Sequence, residues 1–244
     1  TVLALLNKNP QLSNKIKAIG SHGQTIRHRP NDQYPFTLQI GDPNIIAEKT
    51  GITTVADFRR RDMACGGQGA PLVVAFHEYL FKKPVKNRVI LNLGGIANIT
   101  YLAAEKPVFG FDTGPANTLL DAWDKPHQNK NYDQIDNWAA TGNCQLDLLE
   151  LLLNDAYFTQ PPPKSTGREY FHLQWLETYL EKFAPLKPED VQATLVSLTT
   201  HSIMRAIEVF CPKTDEIIVC GGGSKNAHLI QQLSFLAGKQ AISE

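Results

Sequence analysis

Two apolar, β-branched runs, residues 89–93 and 96–102, are separated by nothing but Gly94-Gly95. Such a pair forms an antiparallel hairpin, because two glycines supply the backbone dihedrals that a tight two-residue turn demands. A third apolar run (Val108, Phe109, Phe111) delivers Asp112 into a turn, where Gly114 gives freedom and Pro115 fixes a dihedral. Asn117-Thr118-Leu119-Leu120-Asp121-Ala122-Trp123 then reads as a helix. A three-stranded start leading into helices is already a strong restriction on the fold.

The rest of the chain alternates in the same way. Residues 37–40 read as a strand ending at Gly41-Asp42, a helix follows from Pro43 through Thr50, and the β-branched run 52–55 feeds Asp57-Phe58-Arg59. Gly66-Gly67-Gln68-Gly69 reads as a loop, with Pro71 opening a helix that carries Leu72, Val73, Phe76, Tyr79 and Leu80. Helices are expected to about Asn154, and the proline-rich stretch 159–168 as an ordered surface loop. Pro188 opens a long helix, residues 216–220 form a buried-type strand, and Gly221-Gly222-Gly223 leads into a last helix with Leu229, Ile230, Leu233 and Leu236. This is an α/β pattern with two lobes. The polar stretch 82–87 marks the boundary, giving a first lobe of residues 1–87 and a second of 88–244. The chain opens at Thr1 inside an amphipathic helix (Val2, Leu3, Leu5, Leu6) and stops at Glu244 just after residues 240–243 begin a strand. A piece of a longer protein is therefore expected.

Composition excludes several partners. Lys plus Arg and Asp plus Glu number 24 each, so there is no basic footprint for nucleic acid. No apolar stretch has the length of a membrane span. Cys65, Cys144, Cys211 and Cys220 are scattered, without CxxC or zinc spacing. Free thiols in a reducing cytoplasm account for them, and no metal-ligating residue is singled out.

Four constellations can carry chemistry. Asp112, at a strand end facing a helix start, is placed to take a proton from substrate or water; capping the next helix is the commoner fate of such a residue. The hairpin tip at Gly94 and Gly95, flanked by Asn92 and Asn98, can bring backbone N–H groups against phosphate oxygens, or be an ordinary tight turn. Strand, Gly221-Gly222-Gly223 and helix start, with Asn226 following, admit a nucleotide against bare backbone. His22 and Gln24, with Asp57 and Arg59, suit a hydroxyl-rich or carboxylate-bearing ligand. Against that, His22 can be a buried, satisfied imidazole and Arg59 an ion pair with Asp57 or Asp62.

These segments, together with Thr37-Leu38-Gln39-Ile40-Gly41-Asp42 and Pro163-Lys164-Ser165-Thr166-Gly167-Arg168-Glu169, resemble the anhydro-N-acetylmuramic acid kinase family along essentially the whole chain. The resemblance implies an actin-like ATPase fold of two ribonuclease-H-like lobes, both incomplete here, that uses ATP with Mg²⁺. It implies that 1,6-anhydro-N-acetylmuramic acid is opened by water and phosphorylated on O6, giving N-acetylmuramic acid 6-phosphate in cytoplasmic recycling of the bacterial cell wall. By the same resemblance Asp112 is the base that activates water, the hairpin bearing Asn92, Gly94, Gly95 and Asn98 faces the phosphates, and Gly221, Gly222, Gly223 and Asn226 lie at the adenosine. His22, Gln24, Asp57 and Arg59 lie on the sugar side. Ala116 stands where the family usually has glycine. The family's Ser-Gly-Thr-Ser-x-Asp-Gly phosphate loop is not among these residues, so residues 1–244 alone are expected to be inactive. The partner is a small sugar, with no nucleic acid or membrane; a homodimer is left open. The alternatives are an ATP-independent glycosidase pairing Asp112 with Asp57 or Asp62, or a non-catalytic actin-fold nucleotide-binding module.

Overall fold

A computed structural model describes residues 2–12, 14–128, 137–238 and 241–243, which fall into two units, Thr1–Leu72 and Val73–Glu244. The division lies ahead of the boundary expected at 87/88. Its physical reason is the helix after Leu72, which belongs to the second unit: His77 is buried on it with Nδ1 2.9 Å from Thr100 Oγ1.

The first unit contains α1 (Val2–Lys8), β1 (Ile19–Gly20), β2 (Gln24–Arg29), β3 (Phe36–Ile40), α2 (Pro43–Thr50), β4 (Thr54–Val55) and α3 (Phe58–Ala64). Strands β1 and β4 pair in parallel and β2 pairs antiparallel with β3. Strand β2 was not anticipated, because its sequence Gln-Thr-Ile-Arg-His-Arg offers little apolar alternation. Helix α2 begins as the sequence dictates: Asp42 accepts from the Asn44 N–H, Pro43 occupies the first turn, and Gly51 closes the helix at φ 66°.

The second unit contains α4 (Val74–Phe81), β5 (Arg88–Leu93), β6 (Ile96–Leu102), β7 (Phe109–Pro115), α5 (Asn117–Gln128), α6 (Asn137–Thr141), α7 (Leu146–Leu153), α8 (Ala156–Thr159), α9 (Leu173–Leu180), α10 (Pro188–Phe210), β8 (Glu216–Cys220), α11 (Ala227–Ala237) and β9 (Ala241–Ser243). Helix α4 starts at Val74 rather than at Pro71. The stretch 129–136 and Gln240, read from sequence as helix and strand, lie outside the described residues. The strand order is β7-β6-β5-β8-β9, with β6 antiparallel to both neighbours and β5, β8 and β9 mutually parallel. That order and polarity are those of a ribonuclease-H-like lobe, so the expected α/β fold class holds. The Gly94-Gly95 hairpin forms as its sequence requires.

Nearly all the apolar core belongs to this sheet and the helices on one face of it. Leu91, Ile99, Phe111 and Val219 point to one side of four adjacent strands and are buried. The 23-residue α10 covers them, with Phe210 meeting the Phe111 ring edge-on at 5.5 Å. Side chains alternate across a sheet, so Asn92, Asn98 and Asp112 take the opposite face. No described helix is long and apolar enough to cross a membrane.

Candidate functional site

Asp112 lies inside β7, not in the turn after it. The strand runs on to Pro115 and α5 starts at Asn117, so Asp112 does not cap that helix. A bulge aims it: Ala97 pairs with Gly114 while Asn98 pairs with Asp112, leaving Thr113 as the extra residue. Thr113 anchors the bulge by donating from Oγ1 to the Ala97 carbonyl (3.2 Å). The Asp112 side chain is buried, at 4 % exposure, and the Thr166 N–H donates to its Oδ2 at 3.0 Å. The proline-rich loop is thus ordered as expected, but it serves the acid. It runs beside the edge strand, where the Asp112 N–H donates to the Lys164 carbonyl (3.1 Å).

The register places Asp112, Asn98, Asn92 and Cys220 side by side on β7, β6, β5 and β8. Directly opposed residues share a face, so the carboxylate and both asparagines form one polar row. The row leads to the glycine turns. A methyl group at Gly94 would lie 3.6 Å from Asn92 Nδ2, and one at Gly221 only 2.5 Å from Asn92 Oδ1. Asn92 therefore sits between the hairpin tip and the triple-glycine turn.

The hairpin tip rests on the start of α5. The Gly94 carbonyl accepts from the Asn117 backbone N–H (3.2 Å) and Nδ2 (2.8 Å), and the Gly95 carbonyl from Ala116 and Thr118 (3.0 and 2.9 Å). Across a trans peptide the C=O and the following N–H point in opposite directions. The N–H groups of Gly95 and Ile96 are therefore turned away from α5, as an anion-binding tip requires.

The three consecutive glycines divide by role. Methyl groups at Gly221 and Gly223 would strike Leu93 at 2.7 and 2.8 Å, so these two glycines are demanded by the chain's own packing. A methyl at Gly222 would meet no atom of the described residues within 4 Å; of the three glycines, this one opens on space a ligand can fill. Asn226 is the N-cap of α11, accepting from the Leu229 N–H at 2.6 Å, a structural duty the sequence reading did not assign it.

Sequence reasoning missed two groups at the hairpin tip. Thr118 Oγ1 is buried with no hydrogen-bond partner among the described residues and lies 2.7 Å from where a Gly95 methyl would be; the Arg168 guanidinium is about 4 Å from the same point (3.9 and 4.0 Å). Asp121, one turn beyond Thr118, has its carboxyl pushed up by burial, with Arg168 opposing and Asp124 reinforcing the shift. The run Lys-Ser-Thr-Gly-Arg in a proline-rich loop is the available signal for Arg168, although it lacks the residue order of the GxxxxGK[ST] phosphate loop.

In the first unit, Arg59 donates from Nε to His22 Nε2 (2.8 Å) and from an Nη to the Gly69 carbonyl (2.8 Å). His22 is exposed, so it is not the buried imidazole its motif allowed. His28 fills that description: it is 6 % exposed, has Nδ1 3.1 Å from Thr37 Oγ1, and is pulled down to about 4 by burial and by the charge of Arg59. Asp57, at φ 64°, pairs with Arg60, whose hydrogen bond holds the carboxyl below its usual value. Gln24 is exposed, with its amide 3.4 Å from the Thr25 carbonyl. The structure thus joins His22 to Arg59, while Asp57 is engaged elsewhere. Among the described residues no group of three or more His, Cys, Asp or Glu could hold a metal ion.

The family profile described as anhydro-N-acetylmuramic acid kinase matches residues 1–243. A protein of that name from Coxiella burnetii is 58% identical over 239 residues, covering 96% of this chain and 63% of the relative. Others of that name from Pasteurella multocida and Xylella fastidiosa are 55% and 56% identical, over 95% and 90% of this chain and 62% and 58% of theirs. The chain thus spans about three fifths of the length of these relatives. Among solved structures it is similar to an activator of 2-hydroxyisocaproyl-CoA dehydratase from Clostridium difficile, with TM-score 0.41, 14% identity, and coverage of 93% of this chain and 86% of that one. With a profile match along its length and relatives sharing more than half its residues, the chain belongs to the anhydro-N-acetylmuramic acid kinase family.

Proposed function

We propose that the full-length protein is an ATP-dependent kinase that opens 1,6-anhydro-N-acetylmuramic acid with water and phosphorylates its O6, in cytoplasmic recycling of peptidoglycan. The observation that carries this reading is the row Asp112, Asn98, Asn92, which ends at the glycine turn of residues 221–223. One face of one sheet then holds a base at one end and a nucleotide turn at the other. The residues suit a nucleotide: Gly222 opens on space a side chain would fill, and Thr118 Oγ1, without a hydrogen-bond partner among the described residues, lies beside the hairpin tip.

In this reading Asp112 accepts the proton of a water as its oxygen bonds to C1 of the sugar. The C1–O6 bond breaks, and O6 takes the terminal phosphoryl group of ATP, leaving ADP. Anhydro-sugar, ATP and water thus give the sugar 6-phosphate, ADP and the proton held by Asp112, which is released to solvent. The Gly95 and Ile96 N–H groups, Thr118 and Arg168 stabilise charge on the phosphates. Arg59, oriented by His22, holds the sugar. Mg²⁺ bound together with ATP would supply further positive charge against the phosphate oxygens.

The test is turnover of anhydro-sugar by the full-length protein with and without ATP, read as sugar 6-phosphate and ADP in equal amounts. Sugar opening without nucleotide overturns the kinase reading in favour of a hydrolase.

A further inference from the structure

Lys164 is 4 % exposed, an unusual position for an ammonium group. Three hydrogen bonds close a ring through it. The Asp112 N–H donates to the Lys164 carbonyl (3.1 Å), Lys164 Nζ donates to the Tyr157 carbonyl (3.0 Å), and the Tyr157 hydroxyl donates to the Asp112 carbonyl (2.7 Å). The ammonium also stands over the Tyr157 ring at 4.6 Å and the Phe111 ring at 5.9 Å. A closed ring couples its members, so β7, α8 and the loop hold one register. Two residues beyond Lys164, the Thr166 N–H reaches Asp112 Oδ2.

We propose that Lys164 is a positioning residue for Asp112: its buried ammonium, bonded to the Tyr157 carbonyl, locks the loop against β7 where Thr166 meets the carboxylate. This rests on the reading of Asp112 as the base. The groups that act on Lys164 are Asp112, which favours its charged form, and Arg205 of α10, which opposes it. Burial is the largest influence, and the ammonium is pulled down to about 8. The Tyr157 hydroxyl is pushed up by burial and stays protonated. Below about pH 8 Lys164 is charged and donates strongly to the Tyr157 carbonyl; above it, the charge and the strong donor are lost and the lock on the loop weakens.

The test measures kcat and both Michaelis constants of the full-length protein across the neutral and alkaline range, for wild type, Lys164→Met, Lys164→Arg and Tyr157→Phe, with Asp112→Asn in parallel. Wild-type kcat should fall along an alkaline limb centred near pH 8. Lys164→Arg should move that limb upward, since a guanidinium stays charged. Lys164→Met should lose about tenfold or more in kcat with Michaelis constants within about threefold, the pattern of an interaction that matters in the transition state. Tyr157→Phe should lose kcat in the same sense. The proposal is overturned if Lys164→Met and Tyr157→Phe keep kcat within about twofold of wild type, a difference under ~0.5 kcal/mol, or if the limb ignores Lys164→Arg. Should Lys164→Met fail to fold, Tyr157→Phe and Lys164→Arg decide. An active Asp112→Asn defeats the base reading and this inference with it. An inactive Asp112→Asn beside a fully active Lys164→Met defeats the positioning role alone.

Discussion

The Thr166 N–H donates to Asp112 Oδ2 at 3.0 Å across 54 residues of chain. A carboxylate that accepts a backbone N–H while buried at 4 % exposure is held in one orientation. Such rigidity serves a base better than a helix cap, because proton transfer depends on the acceptor being in place beforehand.

Asp112→Asn should abolish turnover without unfolding the protein. The amide is nearly isosteric and still accepts from Thr166 through its oxygen, but it cannot take a proton. A loss of about 10²–10⁴ in kcat is expected, with ATP and sugar still bound. Steady-state kinetics paired with calorimetric binding checks this; turnover within about tenfold of wild type, ~1.4 kcal/mol, would remove Asp112 from the chemistry.

Arg59→Ala should weaken sugar binding while leaving ATP affinity unchanged. Its Nε bond to His22 and its Nη bond to Gly69 fix the guanidinium, and loss of a charge-assisted bond to substrate costs about 1.5–3 kcal/mol. Titration of each ligand separately gives the answer; an unaltered sugar affinity means that Arg59 serves only to hold His22 and Gly69.

Gly222→Val and Gly223→Ala should have opposite signatures. A Cβ at Gly222 meets no atom of the described residues within 4 Å, so the melting temperature should stay put while ATP binding is lost. The second drives a methyl to 2.8 Å from Leu93 Cβ, and overpacking of this kind costs about 1–3 kcal/mol of stability. Thermal melts with and without ATP distinguish them. Normal ATP binding by Gly222→Val would mean the open side of the turn takes no nucleotide.

Asp155→Ala should destabilise the second unit by about 3 kcal/mol, since hydrogen bonds to a charged acceptor are among the stronger ones. Its carboxylate accepts from the Tyr157 N–H, the Tyr170 and Tyr179 hydroxyls and the Trp175 indole (2.8, 2.8, 2.8 and 3.0 Å). Burial works against the charge, but these four donors outweigh it and hold the carboxyl below its usual value. A depressed folded value means the stabilisation is full above the unfolded value of 3.8 and is lost as pH falls through the folded one. Asp155→Asn should therefore flatten the acid end of the stability curve. Denaturant unfolding at neutral and acidic pH tests this, and an unchanged acid limb would assign it to other carboxylates.

Local sequence determined the pieces whose causes are local. Gly94-Gly95 dictates a hairpin, Asp42-Pro43 starts a helix, and Pro188 opens a long one; both glycine turns were legible for the same reason, whereas the place of Asp112 inside β7 was not. Strand β2 was not legible, because its polar residues form a strand only by pairing with β3. The two compact units divide after Leu72 rather than at the polar stretch 82–87, because α4 packs on the second unit, His77 against Thr100.

Tertiary structure alone decided what the pieces mean to one another. Arg88 meets Glu216 across 128 residues (2.8 Å), and only that parallel pairing of β5 with β8 brings Asn92 beside the glycine turn. The same proximity explains why Gly221 and Gly223 must be glycines, leaving Gly222 as the open position. The ring of Asp112, Lys164 and Tyr157 is likewise invisible in one dimension, since all three of its links end on backbone carbonyls, a group every residue possesses. Residue type sets which groups are available; long-range register decides which of them meet.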